Sequence, residues 1–290
     1  MEQYNIQWFP GHMKKTERLI KDNISLVDLV VELIDSRAPI SSQNPMLNNL
    51  IKSKPRVLLL AKSDLSDSNA NRQWIKHFKD KDISAMMVDC KNKKIVKNVV
   101  HLIRETLADL IALRSQKGIS GKIIRIMVVG IPNVGKSTFI NSLVGRYKVK
   151  TEDRPGVTMD KQWIHVDGNI DLLDTPGTLW PKFDNLLIGL HLAFIGSIKD
   201  DVYDVEYIAM QLLDYLSKNY PDLLKERFKI EFADNKEPYE KLEDLGRARG
   251  MIIKGGEIDT LRAANALLFE YRSGKLGRIT LEMPNDDIIY

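Results

Sequence analysis

The sequence predicts an α/β fold in two parts: an open, mainly parallel sheet within residues 1–181, then a smaller all-helical unit over 182–290. Three observations predict it. Short apolar runs alternate with amphipathic stretches from Val27 to Leu173, the pattern of a sheet with crossover helices. One such run, Ile123 to Val129, feeds directly into Gly130-Ile131-Pro132-Asn133-Val134-Gly135-Lys136-Ser137 and then a helical start, the strand–loop–helix order of a phosphate-cradling P-loop. After Pro181 the strand-like runs stop and only helical periodicity remains.

The elements follow in order. Pro10 to Ile24 places Met13, Ile20 and Ile24 on one side of a short helix. Val27–Ile34, apolar apart from Asp28 and Glu32, and Val57–Ala61 have the composition of strands buried on both faces. Asn71–Lys79 is expected as helix, Ala85–Asp89 as strand and Val96–Leu113 as helix. The polar segment Arg114–Lys122 then links to the P-loop strand, and Ser137–Leu143 begins the next helix. Beyond the polar stretch Tyr147–Lys161 come two short strands, Gln162–Val166 and Ile170–Leu173. In the helical unit, Val202–Asn219 lines Val205, Ile208, Ala209, Leu212, Leu213 and Leu216 on one face and ends before Pro221. A second helix opens at Asp259 and closes at Gly274.

At 290 residues the chain has ample core for one large or two modest domains. No apolar stretch approaches the roughly 20 residues of a membrane span. The opening Met1–Trp8 lacks the basic-then-apolar pattern of a signal peptide. The single cysteine, Cys90, excludes an internal disulfide and a multi-cysteine zinc site. A cytoplasmic protein without a membrane partner is expected. The formal net charge of +4 is uneven: the first part is net basic and the second net acidic. Within the second part, Leu245–Thr280 is basic again, through Arg247, Arg249, Lys254, Arg262, Arg272, Lys275 and Arg278. That stretch is either a solvated mixed-charge face or an RNA-facing patch. On the helix begun by Asp259, Arg262 lies opposite an expected apolar stripe of Leu261, Ala264 and Leu268. Arg272, Lys275 and Arg278 extend the patch past the helix end.

The P-loop supplies the chemistry. Backbone N–H groups across Asn133, Val134, Gly135 and the helix start Lys136-Ser137-Thr138 are suited to phosphate oxygens, with Lys136 reaching the outer phosphates and Ser137 binding magnesium. Asp174-Thr175-Pro176-Gly177 follows a strand, where Asp174 holds magnesium and the Gly177 N–H senses a γ-phosphate. Arg154-Pro155-Gly156-Val157-Thr158 lies between the P-loop helix and the next strand, so Thr158 can complete the magnesium shell. The nearest match to a base-reading Asn-Lys-x-Asp element is Ala61-Lys62-Ser63-Asp64. Asp64 can accept hydrogen bonds from guanine N1 and its exocyclic amine, while the Lys62 stem covers the base. Asp89-Cys90-Lys91, after the next strand, supplies the second base contact. Both base elements precede the P-loop, the reverse of the usual order.

That inverted order resembles the circularly permuted GTPases, and within them the chain is similar to the YlqF/RbgA family of ribosome-assembly GTPases. The resemblance is carried by Trp8-Phe9-Pro10-Gly11-His12-Met13, Asp35-Ser36-Arg37-Ala38-Pro39, the permuted base elements, the P-loop, Arg154 to Thr158, Asp174 to Gly177, Leu179-Trp180-Pro181-Lys182 and Gly274-Lys275-Leu276-Gly277. It implies a permuted P-loop GTPase domain with a C-terminal helical RNA-binding domain. It also implies GTP hydrolysis, weak alone and stimulated by ribosomal particles, coupled to late maturation of the large ribosomal subunit. The implied partners are the subunit precursor and its rRNA, the implied cofactors Mg2+ and K+ beside the GTP substrate, and the expected state a monomer. The resemblance assigns catalytic help to His12 and potassium coordination to Asn133.

Two positions depart from the pattern. Many GTPases place a water-orienting Gln after Asp-x-x-Gly, and the family an apolar residue; here Thr178 stands there. Ala61 stands where Asn would bond guanine and tie the loop to the P-loop, a loss on the order of 1–2 kcal/mol in base affinity. Both departures motivate an alternative, a nucleotide-gated rRNA-binding scaffold with negligible hydrolysis.

Overall fold

The computed structural model describes residues 12–119, 121–144, 163–166, 169–181, 183, 185–233 and 235–286. Six strands form one sheet: β1 (Leu29–Asp35), β2 (Arg56–Ala61), β3 (Ser84–Val88), β4 (Ile124–Gly130), β5 (Trp163–Val166) and β6 (Ile170–Asp174), in the order β3-β2-β1-β4-β6-β5. All neighbours are parallel except β5 and β6. Chain order therefore runs outward from β1 to β3, then restarts on the other side at β4. The switch point between β1 and β4 is where α/β sheets open a crevice at their carboxyl edge.

Alternation along the strands builds two layers. Even-numbered Val30, Ile34, Leu58 and Leu60 pack against Ile20 of α1 (His12–Asn23), Leu47 and Ile51 of α2 (Pro45–Ile51), and Trp74 and Phe78 of α3 (Ser68–Asp80). Odd-numbered Val31, Leu33, Val57 and Leu59 face Val99 and Ile103 of α4 (Lys93–Thr106) and Phe139 and Ile140 of α6 (Lys136–Val144). The expected helix over Val96–Leu113 is two helices, α4 and α5 (Ala108–Gln116), with the break at Leu107. Helix α2 was not expected; its sequence signal is Asn44, whose side chain accepts the Met46 N–H, followed by Pro45 at the first turn. Asp67 and Asn92 cap α3 and α4 in the same way.

After Pro181 the described segments are helical: α7 (Leu186–Phe194), α8 (Val205–Asn219), α9 (Pro221–Phe228), α10 (Pro238–Ala248) and α11 (Thr260–Arg272). The α8 face foreseen from periodicity is buried at Ile208, Ala209, Leu212, Leu213 and Leu216. Asp259 caps α11 through the Arg262 N–H at 3.0 Å. The stripe on α11 is corrected: Ala263, Ala264, Leu267, Leu268 and Tyr271 face inward, whereas Leu261 is 52% exposed.

The chain then turns back across the sheet domain. Ile279 N–H donates to Leu65 O at 3.0 Å, Asp67 N–H to Thr280 Oγ1 at 3.0 Å, and Leu281 N–H to Arg37 O at 2.7 Å. Glu282, fully buried, accepts from the Ser41 backbone and hydroxyl and lies 2.7 Å from His191 Nδ1. Residues 279–282 thus strap the helical unit to the loops after β1 and β2, a tie without local sequence signal.

Candidate functional site

A parallel sheet places the ends of its strands at one edge whatever their order in the chain. The C-terminal ends of β1, β2, β3, β4 and β6 carry Asp35, Ala61, Val88, Gly130 and Asp174, so the segments that follow them converge. Permutation changes the connections and leaves this juxtaposition intact.

The P-loop leaves β4 at Gly130, whose φ of +151° suits glycine; a Cβ there would sit 2.5 Å from Leu33 O. Asn133 takes a left-handed φ of +56°, which Asn tolerates, and its Nδ2 donates to Gly196 O at 2.8 Å. Lys136, at the start of α6, is buried and folds onto its own loop, donating to Gly130 O at 3.1 Å and Ile131 O at 2.8 Å. Ser137 and Thr138 follow on the first turn.

Asp174 closes β6 beside it. Its Oδ1 is buried and has no hydrogen-bond partner among the described residues. Burial pushes the Asp174 carboxyl up to about 6 against the opposing pull of Lys136. Burial likewise brings the Lys136 ammonium down to about 8, with Asp174 opposing. Two charged groups held out of water with so few partners are arranged for a ligand that carries both negative oxygen and a cation. The orphaned carboxylate oxygen fits a hard divalent ion, which takes oxygen ligands.

Gly177 presses against the P-loop: a Cβ would meet Pro132 Cα at 2.7 Å and Pro132 N at 2.8 Å. Thr178 N–H donates to Gly130 O at 3.2 Å, its hydroxyl donates to Leu179 O at 3.3 Å, and Asn44 Nδ2 donates to Thr178 O at 3.1 Å. The loop after β6 is therefore tied to both β1-side and P-loop elements. Asn44 is a site-edge residue that sequence reasoning missed; its cap signal was the only clue.

The segments expected to read the base also lie at this edge. Lys62 has a left-handed φ of +58°, and its Nζ lies 3.0 Å from Asp35 Oδ2. Ser63 O accepts from Asn71 Nδ2 at 3.4 Å, and Asp64 is half-buried next to it. Asp89 Oδ1 accepts the Lys91 N–H at 2.9 Å. Cys90 packs toward the P-loop, 3.8 Å from where a Cβ on Gly135 would be, and its carbonyl accepts from Ser142 at 2.6 Å. Burial pushes the Cys90 thiol up to about 12, so it is a packing group rather than a thiolate. Ala61, in the register position between Asp35 and Val88, is fully buried.

Three expected site residues stand apart. Thr158 lies outside the described residues, as does the Trp8–Gly11 part of the opening motif. His12 begins α1, with its side chain outside the described set. Arg272, expected to face RNA, is corrected: it turns inward, donating to Phe194 O at 3.1 Å, Ala193 O at 2.8 Å, both Asp200 carboxylate oxygens at 2.9 Å and Tyr203 OH at 2.9 Å. A long side chain at a helix end met a carboxylate from the α7–α8 connection, which α11 periodicity does not reveal. Lys275 and Arg278 remain exposed, the former 4.8 Å over the Phe269 ring and the latter bonded to Ser68 Oγ at 3.0 Å.

This fold and edge define a permuted P-loop nucleotide-binding protein. A family model described as 50S ribosome-binding GTPase matches residues 125–232. The chain is 42% identical over 285 residues to the ribosome biogenesis GTPase A of Bacillus cereus, covering 97% of this chain and 95% of the relative. It is 40% identical over 281 residues to that of Bacillus licheniformis, covering 97% and 99%. A GNP-bound crystal structure of YlqF from T. maritima matches with a TM-score of 0.65 at 27% identity, over 94% of this chain and 99% of that one; a GDP-bound YlqF structure matches with the same TM-score. The chain belongs to the ribosome biogenesis GTPase A (YlqF/RbgA) family.

Proposed function

We propose that this GTPase hydrolyses GTP while bound to a precursor of the large ribosomal subunit, late in its maturation, and contacts rRNA through residues 182–290. The observation that carries the nucleotide chemistry is Lys136 and Asp174 at the carboxyl ends of β4 and β6, two desolvated opposite charges, the carboxylate keeping an oxygen with no hydrogen-bond partner among the described residues. Lys136 and the amides of Asn133 to Thr138 bind the phosphates. Ser137, Thr158 and Asp174 hold Mg2+, which when bound neutralises phosphate charge. Asn133 Oδ1 is the atom with the chemistry for K+, since its Nδ2 is given to Gly196. Asp64, Lys62, Ser63, Asp89 and Cys90 form the guanine side, and Gly177 senses the γ-phosphate. The protein acts in the cytoplasm as a monomer, with domains divided at 181/182. Fractionating lysate on a gradient tests the assembly role: co-migration with large-subunit precursors in a non-hydrolysable GTP analogue, lost in GDP, is expected, and migration only at the top of the gradient contradicts it.

We assign the attacking water to His12. A group that orients water acts chiefly in the transition state, so His12→Ala should lower turnover about a hundredfold with GTP affinity within twofold. Steady-state hydrolysis on ribosomal particles, paired with titration calorimetry, checks both halves.

Phosphate contacts are assigned to Lys275 and Arg278. Replacing both by Ala should weaken particle binding and flatten its log–log salt dependence by about one to two units, leaving GTP affinity unchanged. Binding measured across a salt series decides this; an unaltered slope returns both to solvated surface.

One observation favours the scaffold reading. Thr178, in the usual position of the water-orienting Gln, spends its hydroxyl on Leu179 O and its amide on Gly130 O. If His12 does not supply the missing function, nucleotide gates rRNA binding with negligible cleavage; single-turnover hydrolysis with particles separates the two.

A further inference from the structure

The Asp35-Ser36-Arg37 segment is absorbed by none of the roles above, yet it forms the most buried charged cluster beside the base-reading loop. Asp35 ends β1 in register with Ala61 at the end of β2, and Ser36 N–H donates to Ala61 O at 2.9 Å. The Asp35 carboxylate is fully buried. Arg37 grips it with Nε to Oδ1 at 2.9 Å and Nη2 to Oδ2 at 2.8 Å, and the Arg37 amide adds a third bond at 3.1 Å. Burial alone would raise the carboxyl, but Arg37 and Lys62 hold it well below the usual range, so it stays ionised. Arg37 is itself fixed: its guanidinium lies 5.3 Å from the centroid of the Tyr271 ring, and its carbonyl accepts from Leu281.

Oδ2 of this clamped carboxylate also meets Lys62 Nζ at 3.0 Å. Lys62 is the residue in the left-handed region immediately after β2, a conformation that a lysine keeps only when its surroundings hold it. Its Nζ is anchored to the end of β1, across the edge where the base loop begins. The amide that would brace this loop is absent, because residue 61 is Ala.

We propose that Asp35 is a positioning residue of the guanine site: held ionised and immobile by Arg37, it anchors Lys62 Nζ and thereby sets the Lys62 stem as the wall of the base pocket, in place of the brace missing at Ala61. The inference rests on the guanine reading of Lys62 to Asp64. Asp35 touches no nucleotide atom; its effect passes through Lys62.

The test is a double-mutant cycle on the full chain, read as GDP and ADP affinity by titration calorimetry together with the melting temperature of the nucleotide-free protein. Lys62→Met keeps a stem and removes the anchor. It should weaken GDP binding about tenfold and leave ADP binding unchanged, and lower the melting point only modestly, because Arg37 keeps the buried Asp35 carboxylate bidentately paired. Asp35→Asn should weaken GDP binding similarly in the wild-type background and by less than twofold more in the Lys62→Met background. If Asp35→Asn gives no soluble protein, Asp35→Glu, which keeps the charge and shifts the acceptor by one methylene, takes its place in the cycle. GDP affinity within twofold of wild type for Lys62→Met, or additive losses in the double variant, overturns the proposal. Wild-type protein that binds ADP as well as GDP would instead defeat the guanine reading itself.

Discussion

Lys136→Ala is expected to weaken GTP and GDP binding by at least about a hundredfold. A charge-assisted contact to phosphate in a desolvated site accounts for about 3 kcal/mol, and each factor of ten requires about 1.4 kcal/mol. In the structure this ammonium is buried against Gly130 O and Ile131 O and held down to about 8. It is kept out of water, with the Asp174 carboxylate near enough to oppose the shift but without an ion pair to it among the described residues. Phosphate repays that cost, so the loss falls on binding rather than on folding. Titration calorimetry at pH 7 checks the result, and affinity within twofold of wild type would remove the P-loop assignment.

Asp174→Asn has the second largest expected effect, and it has two opposite parts. The variant should lose the magnesium dependence of nucleotide binding, because the orphaned Oδ1 belongs to the carboxylate proposed to hold Mg2+. The nucleotide-free variant should nevertheless melt higher than wild type at pH 7. The carboxyl is pushed from 3.8 up to about 6 in the folded protein, so between these values the folded state binds more protons than the unfolded one. Stability then falls as pH rises from about 4 to about 6 and stays lower above that range, an effect of at most about 3 kcal/mol. A neutral amide avoids this cost. The loss of a favourable neighbour for Lys136 reduces the gain, leaving a rise of a few degrees. The same titration makes wild-type nucleotide binding with Mg2+ tighten from pH 5 to pH 7. Melting curves of both proteins over that range, with and without Mg2+ and GDP, check the two parts. A variant that melts lower than wild type at pH 7 contradicts this account of Asp174.

Much of the candidate site was legible because its signals are local. The P-loop needs a strand end, glycine at Gly130, a turn and a cationic helix start within eight residues, and each leaves a mark on the sequence. Asp174 to Gly177 and Lys62 to Asp64 were found the same way, as short segments after apolar runs. The parallel sheet then brings them together, since every strand end falls on one edge. Helix caps were equally readable where the side chain bonds its own first turn, as at Asp259; Asn44 was overlooked although it carries the same signal.

What the sequence did not reveal depends on contacts between distant segments. Arg272 looked like an exposed helix-end cation, but Asp200, more than seventy residues earlier, draws it inward. Leu261 fitted the apolar stripe by spacing, yet α11 is rotated so that Ala263 and Leu267 face the core instead. The Glu282–Ser41–His191 junction joins three segments with no shared pattern. The buried grip of Arg37 on Asp35 was visible only as a family-like string, with no indication that it reaches Lys62.

This edge is proposed to cleave GTP when the protein sits on a maturing large subunit. Single-turnover hydrolysis of GTP, with and without purified large-subunit precursor particles, tests it most directly. Cleavage should be at least tenfold faster with particles, with no such effect on ATP and with the acceleration lost in His12→Ala. A GTP cleavage rate that particles leave unchanged would contradict it.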